Sequence, residues 1–163
     1  MRVVVMGVSG CGKSSLGAAL AERLRIPFFE GDALHPHANV SLMRSGTPLT
    51  DADRWPWLDR VAAKLADAGS AVVSCSALRH AYRRHIQQHA GGPVHFVHMS
   101  SDRELIAQRM ALRAGHYMPL SLLDSQFATL EMPGPDEALT LDIALPLDTL
   151  LETAFDYLKG NQP

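Results

Sequence analysis

Short apolar runs at Val3 to Met6, Ala71 to Ser74, Val94 to Met99 and Leu141 to Ile143 alternate with longer stretches in which apolar residues recur every three or four positions. Brief β-branched runs without polar alternation predict strands buried on both faces, and their alternation with helical periodicity predicts βαβ units in a parallel α/β sheet. A weaker strand, Phe28 to Glu30, follows Pro27. Leu16, Leu20 and Leu24 form one helical core stripe, and Trp57, Val61 and Leu65 form another. Ser101 and Glu104 have capping-box spacing and predict a helix through Ile106, Arg109 and Met110 to about Arg113, where Gly115 breaks it. Residues Gly115 to Pro119 read as a loop and Leu120 to Leu130 as a further helix, which Pro133-Gly134-Pro135 ends. The stretch from about 113 to 131 resembles a small lid inserted late in the sheet. No internal repeat or linker interrupts the chain, so residues 1–163 are expected to form a single domain.

Composition narrows this picture only slightly. The 163 residues are enough to bury a core, apolar residues make up 47%, and a formal net charge of -2 gives no reason to expect a nucleic-acid partner. Cys11 and Cys75 do not form a secreted disulfide framework, and no apolar run approaches a membrane span. A soluble, unprocessed cytoplasmic protein with no membrane partner is the expectation.

The chemistry begins at Gly7-Val8-Ser9-Gly10-Cys11-Gly12-Lys13-Ser14, which fits G-x-x-x-x-G-K-[ST] without mismatch between a strand and a helix. In such a loop the backbone N–H groups curl round a phosphate, the helix N-terminus adds positive dipole, and Lys13 reaches the β- and γ-oxygens. The expected ATP-binding stretch is Gly7, Val8, Ser9, Gly10, Cys11, Gly12, Lys13, Ser14 and Ser15, with Ser14 as the Mg²⁺ ligand. No Asn-Lys-x-Asp guanine signature occurs, and neither Ala71 to Ser74 nor Val94 to Met99 ends in a Walker-B aspartate. Acidity falls instead at Glu30-Gly31-Asp32, after the second strand, where a small-molecule kinase places its acceptor.

From there the chain reads Gly31-Asp32-Ala33-Leu34-His35-Pro36, then Pro48-Leu49-Thr50-Asp51-Ala52-Asp53-Arg54, Ser74-Cys75-Ser76-Ala77-Leu78-Arg79 with Tyr82-Arg83, Arg113 to Pro119, and Ser125-Gln126-Phe127 with Leu130-Glu131. These blocks, in this order, resemble the gluconate kinase family over nearly the whole chain. The resemblance implies a P-loop kinase fold with a five-stranded parallel sheet, a nucleoside-monophosphate-kinase-like lid, a homodimer, and transfer of a phosphoryl group from ATP to D-gluconate.

An alcohol acceptor needs a carboxylate near its hydroxyl, and a sugar acid needs fixed cationic donors. Asp32 is the candidate to orient the hydroxyl or take its proton. Arg54 and Arg83 are candidates for forked bonds to the substrate carboxylate. His35 is a candidate donor to sugar hydroxyls. Arg113, at the start of the lid, is expected to reach the transferring phosphoryl group, with His116 ordering the lid; Arg109 reads more simply as a solvated helix face. His85 and His89 have helical spacing, but no HExxH motif or cysteine cluster accompanies them, so a metal role is not expected. His95 and His98 fall on opposite faces of a strand.

Leu42 stands where the family commonly has a lysine before the methionine, Glu30 replaces a more usual aspartate, and Arg84 stands where an acidic residue often follows Arg83. The first departure bears on affinity or on the sugar acid accepted. Two rival readings are a kinase of shikimate or another small hydroxy acid, and a non-catalytic ATP-binding sensor.

Overall fold

The computed structural model describes residues 1–112 and 120–161. Five strands, β1 (Arg2–Met6), β2 (Phe28–Glu30), β3 (Ala71–Ser74), β4 (Val94–Ser100) and β5 (Ala138–Asp142), form one sheet in the order β2-β3-β1-β4-β5, and every pairing is parallel. The last strand starts and stops earlier than Leu141 to Ile143 predicts. Register explains the shift: Phe96 lies opposite Ala138 and Ser100 opposite Asp142, so the pairing partner selects residues that composition alone does not.

Alternation along the central strand divides the core in two. Val3 and Val5 face one side with Val72 and Val97, against α1 (Lys13–Leu24) and α7 (Leu147–Gly160); Val4 and Met6 face the other with Val73 and Phe96, against α3 (Asp51–Ala68) and α4 (His80–His89). Leu16 and Leu20 of α1, and Trp57, Val61 and Leu65 of α3, are buried as their spacing predicts. Truncating any one of these leucines to alanine would cost about 2–5 kcal/mol.

α3 starts at a capping box: Asp53 N–H donates to Thr50 Oγ1, and the Asp53 carboxylate accepts from Thr50 N–H. Pro56 lies inside this helix, near enough to its start that the helix continues to a Gly69 C-cap. α2 (His37–Arg44) is a short helix behind Pro36. α5 (Arg103–Leu112) is capped one residue later than the sequence predicts. Asp102 Oδ1 accepts from Leu105 N–H at 2.8 Å, whereas Ser101 Oγ is buried without a partner. α6 (Leu120–Thr129) follows, tied to α5 by the exposed Arg103–Asp124 ion pair.

Candidate active site

The P-loop is built by the β1–α1 junction. Gly12, with φ 97°, is the N-cap of α1 and leaves the first turn with neither a side-chain cap nor an acidic residue. The amides there are unmet and the dipole is unopposed, which is an anion site by construction. Ser9, Gly10, Gly12, Lys13, Ser14 and Ser15 surround the resulting cradle, and Asp32 stands across it. Lys13 Nζ donates to the Val8 carbonyl at 2.9 Å, which holds the ammonium over the loop. Cys11 is buried within the loop and contributes backbone, and the buried Cys75 thiol is pushed up to about 12 by desolvation, so its reactive thiolate is suppressed.

Asp32 owes its position to the end of β2. Ser74 Oγ accepts from Gly31 N–H at 3.1 Å and donates to the Glu30 carboxylate, which is thereby committed to the strand end. A Cβ on Gly31 would sit 1.8 Å from the Ser74 carbonyl oxygen, so no side chain fits there. Trp57 Nε1 donates to the Gly31 carbonyl at 2.7 Å. Gly31 thus begins a short 3-10 turn, Gly31–Leu34, that exposes Asp32 at the carboxyl edge of the sheet.

A second cavity adjoins the cradle. Ser9, Lys13 and Asp32 belong to both, and the second is completed by His35, Arg54, Trp57, Ser76 and, from α6, Leu122, Ser125 and Gln126. His35 stacks on Trp57 with centroids 4.0 Å apart, and desolvation by burial pulls its pKa down to about 4, with Asp32 opposing and Arg54 assisting. The ring is therefore neutral at pH 7. Arg54 Nη1 donates to the Tyr82 hydroxyl at 3.0 Å; that hydroxyl donates to Asp51, whose other oxygen accepts from Arg79 at 3.0 Å. Gln126 Oε1 accepts from Ser9 N–H at 2.6 Å, which fastens α6 to the P-loop.

Two expectations need revision. Arg83 does not reach the cavity: it is 1% exposed, forks onto both oxygens of Glu137 at 2.6 and 3.1 Å, and donates through Nη1 to the Ala77 and Leu78 carbonyls. Its guanidinium is used to join the N-terminal end of α4 to the segment before β5, where Glu131 also caps His80 N–H at 2.7 Å. Arg109 is not a solvated face. Its Nη2 donates to the Ile143 carbonyl at 2.7 Å and borders a third groove with Cys11, Gly12, Ser15 and residues 143–147.

Arg113 and His116, and the 113–119 part of the expected lid, lie outside the described residues. Leu42 does not line the cavity, whereas its neighbour Met43 does, so the departure at position 42 sits off the cavity wall. His85 bonds Asp59 at 2.6 Å and its ring lies 4.3 Å from that of His89, but no metal-binding cluster occurs among the described residues.

Sequence reasoning missed Trp57 as a site residue, since its spacing reads as core, and it gave Gln126, Tyr82, Asp51 and Asn39 no role. The signal for Gln126, Tyr82 and Asp51 is membership in the family blocks.

The AAA domain family profile matches residues 3–133. A gluconokinase from Gluconobacter oxydans (strain 621H) is 50% identical over 139 residues, spanning 83% of this chain and 78% of that protein. The crystal structure of a gluconokinase from Sinorhizobium meliloti 1021 has a TM-score of 0.91 at 47% identity, covering 98% of this chain and 91% of that one. The chain belongs to the gluconokinase family. Another gluconokinase, the thermosensitive one of Escherichia coli (strain K12), is 43% identical over 82% of this chain and 73% of that protein. Likeness to the shikimate kinase of Aquifex aeolicus vf5, at 17% identity and a TM-score of 0.63, extends to the fold alone.

Proposed function

We propose that this chain phosphorylates D-gluconate with ATP, giving 6-phospho-D-gluconate and ADP. The observation that carries this reading is the sharing of Ser9, Lys13 and Asp32 between the phosphate cradle and the adjoining cavity. A γ-phosphate held over the P-loop and a hydroxyl held in the cavity then meet beside one ammonium and one carboxylate, the arrangement an in-line transfer needs. Family membership supports gluconate as the acceptor over shikimate.

The nucleotide phosphates lie over the amides of Gly10 to Ser15, with Lys13 balancing the charge on the β- and γ-oxygens. The nucleoside extends into the groove between Arg109 and residues 143–147. Gluconate binds with its carboxylate toward Arg54 and its hydroxyls near His35 and Gln126. Asp32 accepts the proton of the attacking hydroxyl, whose oxygen bonds to the γ-phosphorus as the bond to the β–γ bridging oxygen breaks and ADP leaves. The oxygen donors Ser14 and Asp32 beside the cradle suit a hard cation that keeps most of its ligands from phosphate and water. Mg²⁺, when bound with the nucleotide, supplies charge neutralisation at the phosphate oxygens, and Ser14 Oγ is the group on this chain that would hold it.

Arg113 and His116 are assigned to the lid, with Arg113 reaching the transferred group. Residues 1–163 are assigned to one kinase domain that works as a cytoplasmic homodimer without nucleic-acid or membrane partners. No described helix is long and apolar enough to cross a membrane.

The test is ADP release measured against gluconate, other sugar acids, shikimate, nucleoside monophosphates and no acceptor. Gluconate-dependent turnover is expected. Turnover with shikimate but not gluconate would overturn the acceptor, and saturable ATP binding without any acceptor-dependent turnover would make the chain a sensor.

A further inference from the structure

His35 faces the cavity, but its hydrogen-bonding character is decided behind it. Asn39, on α2, is 3% exposed and lines neither the cavity nor the cradle. Its side-chain nitrogen lies 2.8 Å from the Asp53 main-chain carbonyl oxygen and 3.3 Å from His35 Nδ1. A carbonyl oxygen has only lone pairs to offer, so the Asn39 atom facing it must be the NH₂ group. That nitrogen has two hydrogens and accepts nothing. Having given one hydrogen to Asp53, it directs the other at Nδ1, and Nδ1 must therefore be the bare nitrogen of a neutral ring.

From this chain of constraints we infer that Asn39 is a positioning residue that holds His35 as its Nε2–H tautomer, so that the acceptor cavity presents a neutral N–H donor. The inference rests on the proposed placement of gluconate in this cavity. Nε2 has no partner among the described residues. Among the described residues the buried side-chain polar atoms lacking one are His98 Nδ1 and Ser101 Oγ, so Nε2 of the cavity-lining His35 opens on the cavity.

Ring orientation is held as firmly as ring protonation. Trp57 stacks on His35 at an interplanar angle of 15°, and Trp57 is itself pinned to the Gly31 carbonyl. A half-turn of the ring would put a carbon against Asn39 and lose the bond. The charged groups acting on the ring are Asp32, which favours protonation, and Arg54, which opposes it; burial, acting in the same direction as Arg54, outweighs Asp32 and leaves the ring neutral. The cavity thus offers a donor matched to a lone pair of a hydroxyl or carboxylate oxygen, and its cationic lining among the described residues is confined to Lys13 and Arg54. Control of which imidazole nitrogen carries the proton by a residue behind the ring is a general device, familiar from metal-bound histidines, applied here to sugar recognition.

Nitrogen-15 correlation spectra of the imidazole groups, with His35 assigned by its loss in His35→Gln, read the tautomer directly in the intact protein at neutral pH. A bare Nδ1 and a protonated Nε2 are expected; a protonated Nδ1 in the wild-type protein would overturn the inference without the need for any folded variant. In Asn39→Asp the carboxylate can only accept, so His35 should gain a proton at Nδ1, and kcat/KM for gluconate should fall about five- to tenfold with KM for ATP unchanged. A wild-type tautomer retained in Asn39→Asp would remove Asn39 from the role. A switched tautomer with unaltered gluconate kinetics would leave the tautomer assignment standing and overturn the placement of gluconate against His35.

Discussion

Arg54 is held at the cavity wall by Tyr82: its Nη1 donates to the Tyr82 hydroxyl at 3.0 Å, and its guanidinium carbon lies 5.5 Å from the centre of the Tyr82 ring. Asp51 and Arg79 anchor the hydroxyl in turn, so the cation reaches the cavity with its direction already set. Arg54→Ala should weaken gluconate by about 1.5–3 kcal/mol, the range for a lost charged hydrogen bond, with little change for ATP. Tyr82→Phe keeps the ring but frees the guanidinium, and should produce a smaller rise in KM for gluconate. Steady-state kinetics with each substrate varied checks both, and a wild-type KM for gluconate in Arg54→Ala would displace the carboxylate from this residue.

Arg83 is expected to behave differently. Its loss leaves Glu137 with only the His80 ring as partner among the described residues and strands two main-chain carbonyls at a buried joint, so Arg83→Met should lower stability by about 3 kcal/mol. Lysine cannot reproduce the fork, so Arg83→Lys should recover little. Urea unfolding measures the loss. In whatever fraction stays folded at low temperature, KM for gluconate should be near that of the wild type, because Arg83 does not line the cavity.

Asp32→Asn keeps the shape of the side chain and removes its charge. With Asp32 as the proton acceptor, kcat should fall by about 10²-fold or more while ATP affinity stays within a few-fold. Lys13→Ala should abolish turnover with the fold intact by circular dichroism. An unchanged kcat in Asp32→Asn would take the carboxylate out of the mechanism; a loss confined to ATP affinity would make it a metal-site residue.

Two buried histidines make stability depend on pH. Burial pulls His35 and His98 from the ordinary 6.5 to about 4, with Arg83 adding to the effect at His98. Below pH 6.5 the unfolded chain binds protons that the folded chain refuses, so unfolding gains protons and stability falls as pH falls. The contribution is complete above 6.5 and is lost progressively toward 4, at up to about 1.4 kcal/mol per pH unit for each ring. Urea midpoints between pH 7.5 and about 5, above the range where most carboxylates titrate, should decline. His98→Leu should reduce the slope, and a flat profile in the wild type would show that these rings are accessible to protons.

Much of this protein follows from local pattern. β-Branched runs give the strands, the stripes Leu16-Leu20 and Trp57-Val61-Leu65 give two of the packed helices, and the loop from Gly7 to Ser14 defines the phosphate cradle, because each depends on neighbours in the chain and on backbone geometry that glycine and spacing encode. Asp32 follows directly from the end of β2 in the chain, although the turn that presents it is held by Ser74 and Trp57, 43 and 26 residues from Gly31. What the tertiary structure alone decided are the contacts between residues far apart in sequence. Arg54 and Arg83 look alike as candidates in the chain, yet one meets Tyr82 at the cavity and the other meets Glu137, 54 residues away, in a buried joint. Gln126 finds the Ser9 amide across 117 residues, and Asn39 finds the Asp53 carbonyl that selects the proton on His35. A guanidinium or a carboxamide carries the same donors wherever it stands. Which acceptor it meets is set by the packing of α3, α4 and α6 on the sheet, and no local pattern encodes that.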